Sequence, residues 1–285
     1  MASMRDIKRR KSSIQSTQQI TKAMKLVATV KLQRAKKRAE QSKAYFDCMY
    51  ETVTSMLAKS GNIDHPYLKS NNSARKAVIV VTSNRGLAGG YNSNVVKLIT
   101  KGTLPKDFLD IYAIGKKGCD SLARAGYHIK YNNPDIVEEP LFSDAIEIGK
   151  NVLQSYLSGE IGEIYLAYTF FKNTVLHEPR LMKLLPVDIK GEGQSAEESK
   201  VPMNYEPEEE EALNLIIPKY VNSLIYGALV ESVASENGAR MQAMDSATSN
   251  AEEMISSLSL QYNRARQGSI TQELTEIIAG AEAIS

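Results

Sequence analysis

At 285 residues, with 42% hydrophobic and 24% charged residues, the chain is long enough for one or two ordinary domains. It holds no run of about eighteen apolar residues, which argues against a membrane span, and its basic N-terminus lacks the apolar stretch of a secretory signal. Its net charge of +2 hides a basic arm: residues 1–43 carry thirteen Lys or Arg against Asp6 and Glu40, a net of +11, which leaves −9 for the remainder.

Such an arm reads as an electrostatic match for something acidic, either nucleic acid or an acidic protein surface. The first element is a helix. Residues 3–59 contain neither Pro nor Gly, and small or apolar residues recur at Ile7, Ile14, Thr17, Thr21, Met24, Ala28, Leu32, Ala35 and Ala39. At about 1.5 Å per residue this rod, assigned to 1–60, would reach about 85 Å, far too long to stand without a partner helix. Cys48 and Cys119 lie in unrelated contexts, which argues against a disulfide framework or a cysteine-based metal site.

Residues 75–190 read as a small α/β domain. Lys76–Thr82 is a β-branched run of the kind found in buried strands. A Gly-rich turn follows, then a helix from about Tyr91. Phe108–Ile114 is the next strand, Lys116–Ala125 a helix and His128–Tyr131 a short strand. Ser143 is placed to cap a helix running to Leu157, and Glu163–Phe171 and Leu181–Val187 close the series as strands. This alternation predicts a Rossmann-like, mostly parallel sheet flanked by helices.

The turn SNRGLAGGYN (83–92) has the strand-to-helix setting of a phosphate loop, but it lacks the GK[ST] ending and does not fit GxGxxG. Its glycines suit tight turning and close packing better. His65, His128 and His177 are scattered, with no Cys or carboxylate at ligand spacing. No catalytic constellation, cofactor site or metal site emerges.

Residues 191–207 form a linker. Glu208–Glu211 can start the last helix, where the helix dipole favours acids, and Pro218 should kink or restart it. The C-terminal helix, 208–285, carries a second seam at Met241, Met244, Ala247, Ala251, Met254, Leu258, Tyr262 and Ala265. Two rods of similar length at opposite ends of one chain predict an antiparallel coiled coil. Seams of Ala, Thr and Met make it slender and marginal without a surrounding sleeve. Its far end is dense in hydrogen-bonding groups, with Arg264, Arg266, Gln267, Thr271, Gln272, Glu273 and Glu276 around an apolar face of Ile270, Leu274, Ile277 and Ile278. A frayed terminal helix has no need of such an array, which suggests that this end meets something specific.

Four segments carry a family resemblance: MRDIKRRKSSIQSTQQITKAMKLVA (4–28), SNRGLAGGYN (83–92), SLIYGALVESVASENGARMQAM (223–244) and YNRARQGSITQELTEIIAGA (262–281). With them the chain resembles, along essentially its whole length, the gamma subunit of the F-type rotary ATP synthase, of bacterial type. The resemblance implies a central stalk, present once per complex and without an active site or cofactor of its own. The coiled coil would stand inside three alpha and three beta subunits. The α/β domain would sit at the foot, beside epsilon and on the c-ring, at the cytoplasmic face of the bacterial plasma membrane. It also implies site residues. Met24 of ITKAM would lie near an acidic lever of beta. Arg266, Gln267 and Thr271 would form a catch for one beta subunit, with Glu273 and Glu276 supporting it. Tyr205 of NYEP would lie near the c-ring loops. Lys25 departs from the Glu that many relatives carry and adds a cation beside the lever. The long insert with a Cys pair of chloroplast relatives is absent. Two rival readings are a nucleic-acid-binding coiled coil, which lacks aromatic interleaving or a recognised fold signature, and a nucleotide-binding enzyme built on the α/β domain.

Overall fold

The KAVIVV run folds as the middle strand of a five-stranded sheet, as its β-branched composition requires. A computed structural model describes residues 4–59, 65–69, 73–187 and 209–284. In chain order its elements are α1 (Met4–Lys59), β1 (Lys76–Val81), α2 (Tyr91–Thr100), β2 (Leu109–Ile114), α3 (Lys116–Arg124), β3 (His128–Asn133), α4 (Phe142–Leu157), β4 (Glu163–Phe171), β5 (His177–Leu185) and α5 (Glu209–Ile284). They fall into two compact units, one of residues 29–239 and one of residues 1–28 with 240–285.

The first unit is built on the sheet, ordered β3-β2-β1-β4-β5, in which all neighbours run parallel except β5, antiparallel to β4. Alternate β1 side chains serve opposite faces. Val78 and Val80 pack with Val95 and Ile99 of α2 and Leu122 of α3. Ile79 and Val81 pack with Ile148 and Val152 of α4 and with Leu213, Ile217, Val221 and Ile225 of α5. Each fully buried Ile, Leu or Val contributes about 1.5–3 kcal/mol, so this two-sided core is what holds the unit. The α5 residues recur every four positions, which presents one helix face to the sheet. By composition alone α5 includes a stretch apolar enough to cross a membrane, and these buried side chains account for much of that apolarity. The helix is continuous through Pro218, so no restart occurs there.

β3 runs on to Asn133 and β5 ends at Leu185, and two further boundaries that differ from the sequence reading are set by single side chains. The residue capping α4 is Leu141, not Ser143: the Leu141 backbone N–H donates to Asp144 Oδ2 at 2.8 Å, which places Ser143 inside the first turn. β5 begins at His177 rather than Leu181. Asn173 Oδ1 accepts the backbone N–H groups of Val175 and Leu176 at 2.9 and 2.7 Å, and this tight turn pairs Phe171 directly with His177. Pro179 is tolerated because β5 is an edge strand.

The second unit pairs the two rods antiparallel. Gln18 Nε2 donates to Glu252 Oε1 at 3.0 Å, the Thr21 and Thr248 hydroxyls share a 2.8 Å hydrogen bond, and Lys25 Nζ meets Asp245 Oδ1 at 2.6 Å. Buried seam residues are Ile7, Thr21 and Ala28 on one helix and Met244, Ala251 and Leu258 on the other. Thr17 and Met254, expected in the seam, are exposed; Gln18 and Ile255 stand in their places. The coiled-coil spacing of three and four from Ile14 runs through Gln18, Thr21, Lys25 and Ala28, so polar residues occupy core positions.

Candidate functional site

The register of the three rod pairs sets Met4 opposite the turn around Arg266. The last turns of α5 therefore run on past the described start of α1. Every residue from Ile270 to Ala281 is exposed, including all four apolar ones, with Ile277 at 68% and Ile278 at 60%. At about 100° per residue, Ile270, Leu274, Ile277 and Ile278 form one stripe. That stripe is rotated by roughly a third of a turn from the seam of Leu258, Tyr262 and Ala265, so it does not continue the contact with α1.

The polar residues expected at this end border the stripe. Arg266 and Glu273 lie along one side, Gln267 and Thr271 along the other. The Thr271 hydroxyl donates to the Gln267 carbonyl at 2.9 Å, Ser269 Oγ reaches Glu273 Oε1 at 3.5 Å, and Gln272 Nε2 donates to Glu276 Oε1 at 2.9 Å. Glu273 and Glu276 are thus steadied within the helix. No ion pair among the described residues engages Arg266, and its planar fork of donors projects into solvent, suited to a carboxylate.

Met24 and Lys25 lie elsewhere in the same unit, half-buried on α1. The added cation of Lys25 is matched within the rod by Asp245. Beside them Ile20, Leu26 and Val27 project outward from α1, an apolar set that does not follow the seam spacing. Tyr205 lies outside the described residues. The structure thus gathers five candidates at one helix end and keeps Met24 and Lys25 apart from them.

The Gly-rich turn is tied at its ends to its own chain. Asn92 Oδ1 accepts the Ser83 backbone N–H at 2.9 Å, and Asn84 receives the Lys116 N–H at 3.0 Å while donating to the Pro134 carbonyl at 2.6 Å. The next crossing is equally close: a Cβ at Gly115, whose φ is +99°, would fall 2.1 Å from the Thr82 carbonyl oxygen. These groups close the loop and start α3. What the turn does present is Leu87, at φ +62° and 64% exposed, beside Arg85. Arg85 and Lys31 share Glu138, at 3.5 and 3.4 Å. A displayed apolar tip in a left-handed conformation is invisible to motif reading, since only the backbone reveals it.

The histidines occupy separate structural settings. His65 is buried and accepts the Tyr67 N–H at 3.3 Å, and His177 packs on Phe171. His128 Nδ1 and Arg75 both meet Asp110 Oδ1 at 2.8 Å. Burial pushes the Asp110 carboxyl up, but the His128 and Arg75 hydrogen bonds outweigh it and hold the group below its ordinary value. No group of three or more His, Cys, Asp or Glu at metal-binding spacing exists among the described residues.

Comparison with known proteins gives one consistent result. A family model described as ATP synthase matches residues 3–284. The chain is similar to the ATP synthase gamma chain of Lachnoclostridium phytofermentans, 66% identical with all of both chains covered. It is also similar to the sodium-ion-specific gamma chain of Acetobacterium woodii, 42% identical over 99% of each chain. Among solved structures, the central stalk and c-ring of the Tetrahymena thermophila mitochondrial ATP synthase matches with TM-score 0.60 and 25% identity, over 80% of this chain and 99% of that one. A chain of the Euglena gracilis mitochondrial assembly shares the fold, with TM-score 0.72 at 21% identity over 99% and 94% of the two chains.

Proposed function

The chain belongs to the ATP synthase gamma-chain family, and from that membership we propose that it is the central rotor shaft of an F-type ATP synthase. It couples ion-driven turning of a c-ring to the conformational cycling of three catalytic beta subunits. It carries no active site and works as one copy per complex, beside epsilon and within three alpha and three beta subunits. It serves on the cytoplasmic face of a bacterial membrane, held there through the c-ring.

One observation carries this reading. Among the described residues no helix packs on the C-terminal end of α5, which displays four exposed apolar side chains bordered by Arg266, Gln267 and Thr271. Exposed apolar stripes of this kind mark surfaces that another protein covers. A sleeve of alpha and beta subunits would cover the stripe, and Arg266, Gln267 and Thr271 would engage a carboxylate-bearing loop of one beta at a time. Glu273 and Glu276 support that end. Met24 and Lys25, with the basic arm around them, would face the acidic levers of beta, and Tyr205 the loops of the c-ring.

Mechanically, a helix pair with single-sided features presents a different face to each of three surrounding sites. Turning it therefore changes which site is engaged, and the groups on this chain act by shape and charge. No proton or electron passes through them.

The test is rotation in single molecules. The chain is assembled with alpha and beta, the ring is fixed to a surface, and a probe is attached at the exposed Cys48. ATP is expected to drive stepwise, one-directional turning of the probe. A probe that stays fixed while the complex hydrolyses ATP overturns the reading.

A further inference from the structure

One face of α5 is seated on the β4–β5 hairpin through an unusually polar and incompletely satisfied contact. From α5 it contains Glu231, Ser235 and Gly238, and from the hairpin Thr169, His177 and Arg180. Ser235 Oγ donates to the Thr169 carbonyl at 3.1 Å, and Gly238 allows a close approach, since a Cβ there would fall 2.5 Å from His177 Nε2. Yet Glu231 Oε2, Thr169 Oγ1 and His177 Nε2 are all buried without a hydrogen-bond partner among the described residues. Each such atom weakens the contact, because its lost hydration is not replaced.

Glu231 is the carboxylic acid of the contact, and His177 is its other titratable group. From β4, Glu231 faces the buried Tyr168. From β5 it faces Arg180, the charge that acts on it among the described residues. Arg180 is shared among several partners: it bonds Glu178 Oε2 at 3.0 Å, stacks on Phe170 at 3.7 Å and hydrogen-bonds Tyr168, while Glu178 also takes Lys172. The next acidic residue on α5 is Glu236. An ionised Glu231 thus has a cation in view but no hydrogen bond from it to its buried oxygen.

We propose that this contact is a proton-controlled joint: α5 is firmly seated on the β4–β5 hairpin while Glu231 is protonated, and the seating loosens when Glu231 ionises. Burial pushes the Glu231 carboxyl up to about 7, against the downward pull of Arg180. Tyr168, pushed up to about 12 by burial and the Glu231 charge, stays a neutral hydroxyl. His177 is pushed below its ordinary value by burial. The sign follows from linkage. Once the joint opens, Glu231 returns to its ordinary value of 4.5, so the closed state binds the proton more tightly. Closure is favoured at low pH and is lost as pH rises through about 7. The proposal needs only this chain and stands apart from the rotor reading.

The test is hydrogen–deuterium exchange on the full chain at pH 6 and pH 8, corrected for intrinsic rates. Between those values, protection of the 168–180 and 228–238 segments should fall by about tenfold, while the β1–β2 core is unaffected. Glu231→Gln should abolish the step and keep the high protection. Arg180→Met should move its midpoint upward, and His177→Asn should leave it in place. In parallel, the Glu231 carboxyl carbon should titrate with a midpoint near 7 in the intact chain. A step that survives Glu231→Gln, equal protection at both pH values, or a carboxyl midpoint below about 5 overturns the joint.

Discussion

The sheet unit and the paired rods solve the same packing problem in opposite ways. Around β1, residues such as Ile79, Ile111, Ile114 and Leu166 are wholly buried on both faces of the sheet. The rods bury Thr21, Ala28 and Ala251, and they place Gln18 and Lys25 at core spacing with Glu252 and Asp245 opposite. The first arrangement supplies its own stability. The second buries little area per turn and leaves an apolar stripe uncovered at its end, so it is complete only within something larger. A domain can fold alone, whereas a shaft must present its surface to a bearing.

The contrast can be broken most sharply in the sheet unit. Ile148→Ala removes a wholly buried side chain between α4 and α5 and should cost about 2–5 kcal/mol in denaturant unfolding of the full chain. A loss under about 1 kcal/mol would mean that the core is no tighter than the rods. In the rods the sensitive change is overpacking: Ala251→Leu should cost about 1–3 kcal/mol, because the seam has no room for added methylenes. Unchanged thermal stability would show a looser seam than the buried alanines imply.

The acid response should also separate the two regions. Asp110 is buried, and its carboxyl is held below the ordinary value in the folded state. Its contribution is therefore fully present above pH 4 and is lost as pH falls through the folded value. Unfolding monitored at falling pH should show the sheet unit weakening there, and Asp110→Asn should remove that part of the slope. A slope identical in the variant would contradict the assignment. The smallest effect belongs to Lys25→Glu. Its pair with Asp245 is partly exposed, and such pairs are worth under about 1 kcal/mol. Stability and turnover of the assembled complex should both stay close to wild type; a collapse of activity would make Lys25 a specific contact.

The sequence made the sheet legible where hydrophobic runs are continuous, as in KAVIVV, and where glycines punctuate helices. It misread boundaries set by single side chains. Asp144 reaches back to Leu141, and the Asn173 turn starts β5 at His177, four residues before its apolar part begins at Leu181. The rods were legible as helices, but their register was not fully so. A search for apolar periodicity selects Thr17 and Met254, whereas the real seam keeps its spacing by admitting Gln18 and Lys25, which bond across the pair instead of packing. The C-terminal candidates were visible as a cluster of donors. Only the register of the rods reveals that the described part of α1 does not reach beyond the turn around Arg266. The Leu87 tip and the buried Glu231 contact required backbone angles and burial that no motif encodes.

The central claim, that the unpartnered end of α5 is where the shaft engages its bearing, is tested most directly by ATP turnover in complexes of equal composition. Arg266→Leu should assemble normally and lower steady-state turnover. Gln267→Leu should do so more weakly, and Arg266→Lys should restore only part, because lysine keeps the charge but loses the planar fork. Wild-type turnover in Arg266→Leu would contradict the account and leave this end of the helix as a solvated face.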